Sequence, residues 1–323
     1  MTVEPRFRAL LLGLAIVALT TLAYSPGLGG GFLFDDYPQI VHQEAIHLES
    51  VDLDSVARAL RGFRHGVGRP LPMLSFAVDY HIWGRTPFGY KVSSLLVHIG
   101  NALLVLMLLR RLLAISVTPD PPRALLVAAL LSAAWALHPL QVSTVLYVVQ
   151  RMETMSLFFV LLALIAYVSG RERQIRGQKA WHILLACPPL VGLGMACKET
   201  AALFPAYALA LELTVLGFRA RSASTASAWR ISHTLIAGLS LAAAAILLPI
   251  YADATLYAIR DYTAHERVLT QLRVLPMYLG WILWPDPGAY LFYYDQYEAS
   301  RGLMQPASTT LGLLLLIGLG GSA

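Results

Sequence analysis

Two adjacent acids, Asp35 and Asp36, follow three apolar residues shortly after the first apolar run of the chain. A carboxyl group at such a position is partly desolvated, so its surroundings can tune its pKa. One carboxylate can then act as a general base while the other orients a partner or shares the charge. A helix cap or a pair of loop acids facing water is the alternative, and the residues alone leave both interpretations open.

A second polar group lies between two later apolar runs and contains His138, Arg151 and Glu153. Charged groups at membrane depth are costly, so we expect Arg151 and Glu153 to pair with each other or to face a wet cavity. A neutralised pair that only fixes helix packing is the alternative.

A third polar group, Lys198-Glu199, interrupts the apolar run 191–211. Lys198 and the later Arg273 are candidates to hold an anionic headgroup, or a diphosphate or phosphate leaving group. Arginine suits phosphate because its planar fork donates two parallel hydrogen bonds, whereas lysine acts as a point charge.

His98 and Asn101 lie about one helical turn apart in an apolar run and face one direction. We expect them to form hydrogen bonds between helices rather than to catalyse. The acids and bases at the other three places are predicted to meet on one membrane face. Their convergence indicates an outward cavity for an anionic, lipid-bearing ligand beside carboxylates.

The composition requires a membrane to position these groups. Of 323 residues, 57% are hydrophobic and 13% are charged, against about 25% charged in soluble domains. The net charge of +5 is modest, and the basic residues lie in loops and at helix ends, so no nucleic-acid face is predicted. Cys187 and Cys197 lie in an apolar stretch, where neither a disulfide nor a metal site is expected.

Apolar runs of suitable length predict about eight transmembrane helices, the first a retained anchor rather than a cleaved signal. The runs are Phe7 to Tyr24, Val92 to Leu113, Ala124 to Leu137, Thr154 to Ser169, Trp181 to Ala196, Ala201 to Phe218, Thr234 to Tyr251 and Thr309 to Gly320. A further run, Val274 to Leu283, is too short to span and is predicted to be re-entrant or interfacial.

The distribution of basic residues places the N-terminus in the cytoplasm. Two long segments, 27–91 and 252–305, then lie on the outer side. The first is predicted to contain a charged helix, Leu53 to Phe63, and an interfacial helix, Pro72 to Trp83. The second is rich in aromatic residues, which commonly anchor chains at the membrane interface, and closes with Tyr290, Phe292, Tyr293, Tyr294 and Asp295.

Five short motifs occur in order along the chain: FLFDDYPQI, GRPLPMLSF, HPLQVSTVLYVVQRMETMSLFF, GMACKET, and LTQLRVLPMYLGWILWP with YYD. This order resembles the membrane half of the transmembrane O-mannosyltransferases that carry tetratricopeptide repeats, and of their bacterial relatives. Those enzymes belong to the C-type (GT-C) glycosyltransferase superfamily. The resemblance covers nearly the whole chain from Phe32 onward and implies an all-α GT-C-type membrane bundle as a single domain, 1–323.

The resemblance also implies roles for individual residues. The acidic pair falls on Asp35 and Asp36, and Asp35 is the favoured base for the acceptor hydroxyl. Glu153 is the further candidate catalytic acid. The implied substrate-binding residues, several of which are expected to meet a donor phosphate, are Arg69, His138, Arg151, Lys198, Glu199 and Arg273.

Two departures from the family pattern stand out. Animal members have Gly-Arg-Ala-Asp where this chain has Gln150-Arg151-Met152-Glu153, which keeps the acid but lengthens it by one methylene. The chain ends at Ala323, whereas members usually continue into further helices and a repeat domain. We therefore expect either a fragment or repeats that another chain supplies.

The implied reaction is an inverting transfer from a polyprenyl-phosphate sugar to an acceptor hydroxyl, with Asp35 as base. The acceptor is a protein Ser or Thr or an envelope glycan, and the active site faces the periplasm or a lumen. No cofactor is required, although a divalent metal at Asp35, Asp36 and Glu153 stays open. A transporter or flippase of lipid-linked sugars and a non-catalytic membrane scaffold are the alternatives.

Overall fold

The computed structural model of the chain describes residues 5–63, 68–116, 121–286, 288, 290, 294 and 297–321. These residues form α-helices joined by short 3-10 and π-helical turns, which confirms the predicted all-α class. In chain order the helices are α1 Pro5–Tyr24, α2 Leu53–Leu60, α3 Pro70–Trp83, α4 Pro87–Ser116, α5 Pro121–Ala136, α6 Gln141–Leu146, α7 Arg151–Ile175, α8 Trp181–Leu184, α9 Cys187–Met195, α10 Phe204–Leu211, α11 Ala223–Tyr251, α12 Ala264–Leu283 and α13 Ser308–Gly321.

Several of these helices have the length and composition of membrane spans, as expected for a multi-pass membrane protein. Five helical segments of the described residues are long and apolar enough to cross a bilayer: Arg6–Gly29, Pro87–Ser116, Val148–Ile175, Glu199–Leu216 and Ala223–Tyr251. Three further apolar helical segments are shorter: Pro121–Ala136, Trp181–Met195 and Ser308–Gly321. The predicted apolar runs therefore all fall on helices, although not all of them are single long helices.

Two predicted segments differ from the structure for identifiable reasons. The run Trp181 to Ala196 is broken between α8 and α9, where Pro188 and Pro189 cannot donate the backbone hydrogen bonds that a continuous helix needs. The run Val274 to Leu283 forms the second half of the 20-residue α12, so the helix is longer than the apolar run. Its re-entrant or interfacial placement stays a prediction. A capping box begins this helix at a polar position that hydropathy does not mark.

The chain divides into two compact units, Met1–His233 and Thr234–Ala323. In the first unit α4 packs against α1, α5 and α7, and α7 packs against α9. His98 and Asn101 of α4 make the interhelical hydrogen bonds that the sequence predicted: His98 Nε2 donates to the Ala136 carbonyl (2.9 Å), and Asn101 Nδ2 donates to the Thr154 carbonyl (2.8 Å). The prediction of a single domain over 1–323 stays a prediction.

The first long segment forms the layer above one end of these helices. Both predicted helices are present, as α2 and α3, and α3 packs against α2 and α4. Met73, Phe76 and Ala77 of α3 are fully buried, in a core shared with Ile40 and Met152. This core holds the segment against the start of α7.

A buried ion pair fixes α7 against α3. Arg151, the first residue of α7, is 1% exposed, and its Nη1 lies 2.5 Å from Oδ2 of Asp79 in α3. The guanidinium also donates to Ser94 Oγ (3.0 Å) and to the Tyr90 carbonyl (2.5 Å), both in α4. The expected pair between Arg151 and Glu153 is therefore wrong, because residues two positions apart on a helix do not face each other.

A second buried ion pair lies near the other end of α7. Arg171 and Glu212 are both fully buried, with Arg171 Nε 2.6 Å from Glu212 Oε1, and Tyr167 donates a hydrogen bond to the same oxygen (2.8 Å). At about 1.5 Å of rise per residue, Arg151 and Arg171 lie about 30 Å apart along the helix, close to the thickness of a hydrocarbon core. The two buried arginines thus mark the two ends of one predicted span.

The second unit contains α12 packed against α13. Gly312 of α13 lies so close to the Leu272 carbonyl of α12 that any side chain there would collide with backbone. Thr309 of α13 donates to Ser300 Oγ (2.8 Å), and the Ser300 N–H donates to Thr270 Oγ1 of α12 (2.9 Å). Phe292, Tyr293 and Asp295 of the predicted aromatic stretch lie outside the described residues.

The Asp79→Asn variant should strongly destabilise the first unit, because it leaves the buried Arg151 charge without its partner. Removing one member of a buried ion pair costs about 3–5 kcal/mol. The measurement is thermal unfolding of the purified chain in lipid nanodiscs. The control is Glu172→Gln, which removes the partly exposed pairs with Arg176 and Arg111 and should cost about 1 kcal/mol or less per pair. Equal shifts in unfolding temperature for the two variants would contradict the role of the pair.

Candidate active site

The candidate residues of the first unit gather around one short segment, residues 147–153, here called the hub segment. It consists of Tyr147, a 3-10 turn at Val148–Gln150, and the first turn of α7 from Arg151. The first N–H groups of a helix have no partner inside the helix and are available to groups from other elements. Contacts from the Asp35 loop, α3, Arg69 and Lys198 all converge on this segment.

Asp36 is the buried member of the acidic pair and anchors its loop to the hub segment. Its Oδ2 accepts a hydrogen bond from the Leu33 N–H (3.0 Å), and its Oδ1 accepts one from the Val149 N–H (2.7 Å). Burial raises the pKa of Asp36 above its ordinary value, and the backbone N–H groups and the Lys91 ammonium offset part of this rise. Lys91, which sequence reasoning missed, is itself 3% exposed.

Asp35 is exposed, but its backbone is held on both sides. Its N–H donates to the Tyr147 hydroxyl (2.9 Å), and its carbonyl accepts from the Gln39 N–H (3.1 Å). The preceding residue, Phe34, has φ +36, in the left-handed region that non-glycine residues rarely adopt. Such strain costs about 1–3 kcal/mol and persists only where the surroundings enforce it. Here the bonds of Asp36 and Tyr147 enforce it, so the exposed carboxylate stands on a fixed backbone.

Tyr147 is a site residue that sequence reasoning did not single out. Burial and the nearby carboxylates of Asp35 and Asp36 raise the pKa of Tyr147 to about 12, so it stays a neutral phenol at physiological pH. It lies within the motif that begins at His138, but nothing in its spacing separates it from an ordinary apolar-run tyrosine.

Glu153 and Lys198 lie together at the edge of the hub segment. Lys198 Nζ is 3.4 Å from Glu153 Oε2, and the Thr200 hydroxyl donates to the same oxygen (2.9 Å). Both charged side chains are partly exposed, 23% for Lys198 and 37% for Glu153. An exposed pair of this kind contributes little to stability, so a stronger anionic ligand can displace the glutamate from the lysine.

Arg69 and Glu199 form a second exposed pair beside the first. Arg69 Nη2 donates to Glu199 Oε1 (3.0 Å) and Oε2 (3.2 Å), and the guanidinium lies over the Phe63 ring at 4.5 Å. Arg69 Nη1 also contacts the sulfur of Met152 in the hub segment (3.1 Å). The structure therefore brings together four predicted site residues from three parts of the sequence: Arg69, Glu153, Lys198 and Glu199.

The remaining predicted binding residues occupy different settings. Arg151 is enclosed by protein oxygens in the pair with Asp79. His138 lies at the turn before α6, where its Nδ1 accepts a hydrogen bond from the Leu140 N–H (3.2 Å). Arg273 belongs to the second unit, where it donates to the Glu298 carbonyl (2.9 Å) and lies over the Tyr297 ring at 4.6 Å.

The sequence left open a divalent metal at Asp35, Asp36 and Glu153. Among the described residues, no group of three or more His, Cys, Asp or Glu side chains is placed to hold a metal ion. The two oxygens of Asp36 already accept backbone hydrogen bonds. The structure places one exposed carboxylate on a rigid loop and two cations, Lys198 and Arg69, in contact with the hub segment. A metal requirement stays an open prediction.

The raised pKa of Asp36 predicts a specific pH dependence of stability. A folded-state pKa above the unfolded value, about 3.9, means that the folded protein holds its proton longer. Stability is therefore greatest below the unfolded pKa and falls as the pH rises through the folded pKa. Wild type should therefore lose unfolding temperature relative to Asp36→Asn as the pH rises from the unfolded pKa through the folded pKa of Asp36. A difference for Asp36→Asn that stays constant across this pH range would contradict the assignment.

Comparison with known proteins gives several relatives. The chain is 30% identical over 194 residues to "Protein O-mannosyl-transferase Tmtc1" of Drosophila melanogaster, a match that covers 57% of this chain and 20% of that relative. It is 32% identical over 199 residues to Tmtc2 of the same organism, with the same coverage. It is 27% identical over 223 residues to "Protein O-mannosyl-transferase TMTC4" of Homo sapiens, covering 64% of this chain and 28% of that relative.

These matches span between 20% and 28% of the relatives' own length. No protein-family profile and no solved structure matches the chain. The resemblance that the five motifs indicated is thus confirmed by similarity to the protein O-mannosyl-transferases over more than half of this chain.

Proposed function

We propose that this chain is the membrane-embedded part of an inverting glycosyltransferase, which transfers a sugar from a polyprenyl-phosphate donor to a hydroxyl group of a protein. The similarity to protein O-mannosyl-transferases supports mannose as the sugar and a protein hydroxyl as the acceptor, for which we propose Ser or Thr. The observation that carries the proposal is the contrast between the neighbouring acids, with Asp35 exposed on a backbone that the buried Asp36 holds in place.

In the proposed reaction, Asp35 takes the proton of the acceptor hydroxyl as that oxygen attacks the anomeric carbon of the sugar. The new bond forms from the acceptor oxygen to the anomeric carbon. The bond from that carbon to the phosphate oxygen breaks, and polyprenyl phosphate leaves with the electron pair. A single displacement inverts the anomeric configuration. General-base help of this kind contributes about 10²–10⁴-fold to the rate.

The donor phosphate is proposed to bind at the two partly exposed cations that contact the hub segment. Lys198 and Arg69 are each held by a partly exposed glutamate, Glu153 and Glu199 respectively. A phosphate group offers more acceptor oxygens than a carboxylate and can replace it on either cation. In a site from which water is excluded, these cations would stabilise the charge that develops on the leaving group. A phosphate-binding role for Arg273 stays a prediction from its motif alone.

The active site is proposed to face the periplasm or a lumen. The support is the distribution of basic residues, which favours a cytoplasmic N-terminus and places segment 27–91 on the outer side. Tail binding between apolar helices would then bring the donor phosphate to the membrane surface at which the hub segment lies.

The test is transfer by the full chain reconstituted in proteoliposomes with labelled polyprenyl-phosphate mannose and a Ser/Thr-containing acceptor polypeptide. The Asp35→Asn variant should lose about 10²–10⁴-fold in rate while its unfolding temperature changes little. Glu49→Gln, which changes another exposed acid of the same outer segment, should leave the rate unchanged.

Two results would count against the proposal, each in a different way. Equal rates for wild type and Asp35→Asn would remove Asp35 as the base and leave the transferase activity standing. No transfer by wild type from any polyprenyl-phosphate sugar would reject the proposed function.

A further inference from the structure

A polar cleft beside the Asp35 loop has no part in the mechanism above. It has a volume of about 700 Å³ and lies between the π-helical turn Tyr37–Val41 and α2. Its lining includes Gln39 and Gln43 from the first long segment, and Arg58 and Arg61 from the end of α2. Asp54, in the first turn of α2, also lines the cleft. Two cations, one acid and two amides therefore face one space on the outer segment, and its lining keeps a net positive charge.

The two arginines of the cleft differ in their partners from Arg151 of the hub segment and from Arg69, which contacts that segment. Within the described part of the chain, Arg69 and Arg151 are each paired with an acid, whereas neither Arg58 nor Arg61 forms an ion pair. Arg58 Nη2 donates only to a neutral group, Ser55 Oγ (3.0 Å). Cations at the C-terminal end of a helix also stabilise that helix. That role explains their charge, but it does not require them to line a cleft.

The cleft adjoins the turn that carries the candidate base. Gln39, which lines the cleft, donates its backbone N–H to the Asp35 carbonyl at 3.1 Å. The base and the cleft wall are thus one hydrogen-bonded turn apart. A molecule in the cleft must therefore extend by about one turn of chain to meet the Asp35 carboxylate.

The side chains of the cleft suit a polypeptide with an acidic residue. Guanidinium groups bind carboxylates through paired hydrogen bonds. Glutamine amides both donate and accept, as the peptide groups of an extended chain require. Gln43 already uses its Nε2 to donate to the Gly62 carbonyl (2.9 Å), which leaves its amide oxygen as an acceptor. A lipid phosphate, which has no N–H to donate, would make no use of that acceptor.

We propose that this cleft binds the acceptor polypeptide, and that Arg58 and Arg61 recognise an acidic residue close in sequence to the accepting Ser or Thr. The inference rests on the proposed function and names the class of acceptor that this function uses. It assigns the first long segment a second role, as a selector of substrate.

The test compares two acceptor peptides that differ only in acidic residues replaced by their amides, in transfer by the full chain in proteoliposomes. Wild type should prefer the acidic peptide in kcat/KM by about tenfold or more, which corresponds to about 1.4 kcal/mol, mainly through KM. The double variant Arg58→Gln/Arg61→Gln should lose this preference, so that the two peptides have the same kcat/KM. Arg58→Lys/Arg61→Lys, which keeps the charge, should retain much of the preference.

Arg85→Gln is the matched control, because Arg85 is an exposed arginine of the same outer segment outside the cleft. It should leave both peptides unaffected. Binding of the labelled acidic peptide to wild type and to the double variant, measured by fluorescence anisotropy without donor, separates recognition from turnover. A charge-reversed variant, Arg58→Glu/Arg61→Glu, should turn the preference toward a basic peptide.

Each alternative has its own outcome. Equal transfer to the acidic and amide peptides by wild type would overturn the cleft assignment and leave the proposed function intact. If no transfer is detected but the acidic peptide still binds, and binds only when Arg58 and Arg61 are present, the cleft assignment is supported and the proposed function is rejected. If the double variant instead lost only a dependence on anionic lipid in the vesicles, the cleft would be a headgroup site and the acceptor proposal would fail.

Discussion

The buried ion pair between Arg151 and Asp79 sets the position of everything that the site uses. A charge removed from water must be matched by an opposite charge and by hydrogen bonds, and Arg151 finds both in α3 and α4. Its partners fix where α7 begins and how it is rotated. The hub segment then presents the Tyr147 hydroxyl to Asp35, the Val149 N–H to Asp36 and the Glu153 carboxylate to Lys198 in one fixed geometry.

Within that geometry, two identical neighbouring residues have opposite environments. Asp36 is buried, and both of its carboxylate oxygens accept hydrogen bonds from backbone N–H groups. Asp35 is exposed and follows Phe34, whose backbone is strained. The first can hold a loop but cannot readily reach a substrate. The second can meet a substrate but owes its fixed position to the first. The buried Asp36 is therefore a structural acid that holds the loop, whereas the exposed Asp35 is compatible with both interpretations, a loop acid facing water and a general base.

Hydropathy predicted the helices well because burial in lipid demands continuous apolar runs. It failed where backbone chemistry decides, at the prolines that separate α8 from α9 and at the capping box that begins α12. The motifs brought Arg69, Glu153, Lys198 and Glu199 to notice, but not their pairing. Asp79 appeared in the sequence as one acid of an interfacial helix, and no local rule joins it to Arg151. The packing of α3 on α4 and α7 brings Asp79 to Arg151. Glu153 cannot be that partner, because residues two positions apart on a helix do not face each other.

The predicted cations differ in how easily an anionic ligand could replace their acidic partners, because those partners differ in exposure. Arg151 is enclosed by protein oxygens, and freeing it would leave Asp79 as an unpaired buried charge. Lys198 and Arg69 are held by glutamates that are 37% and 63% exposed, so water already compensates part of the charge that a ligand would displace. A phosphate can therefore replace those glutamates at little cost in folding free energy. The predicted basic residues thus divide into Arg151, whose charge is used in the fold, and Lys198 and Arg69, whose acidic partners are exposed.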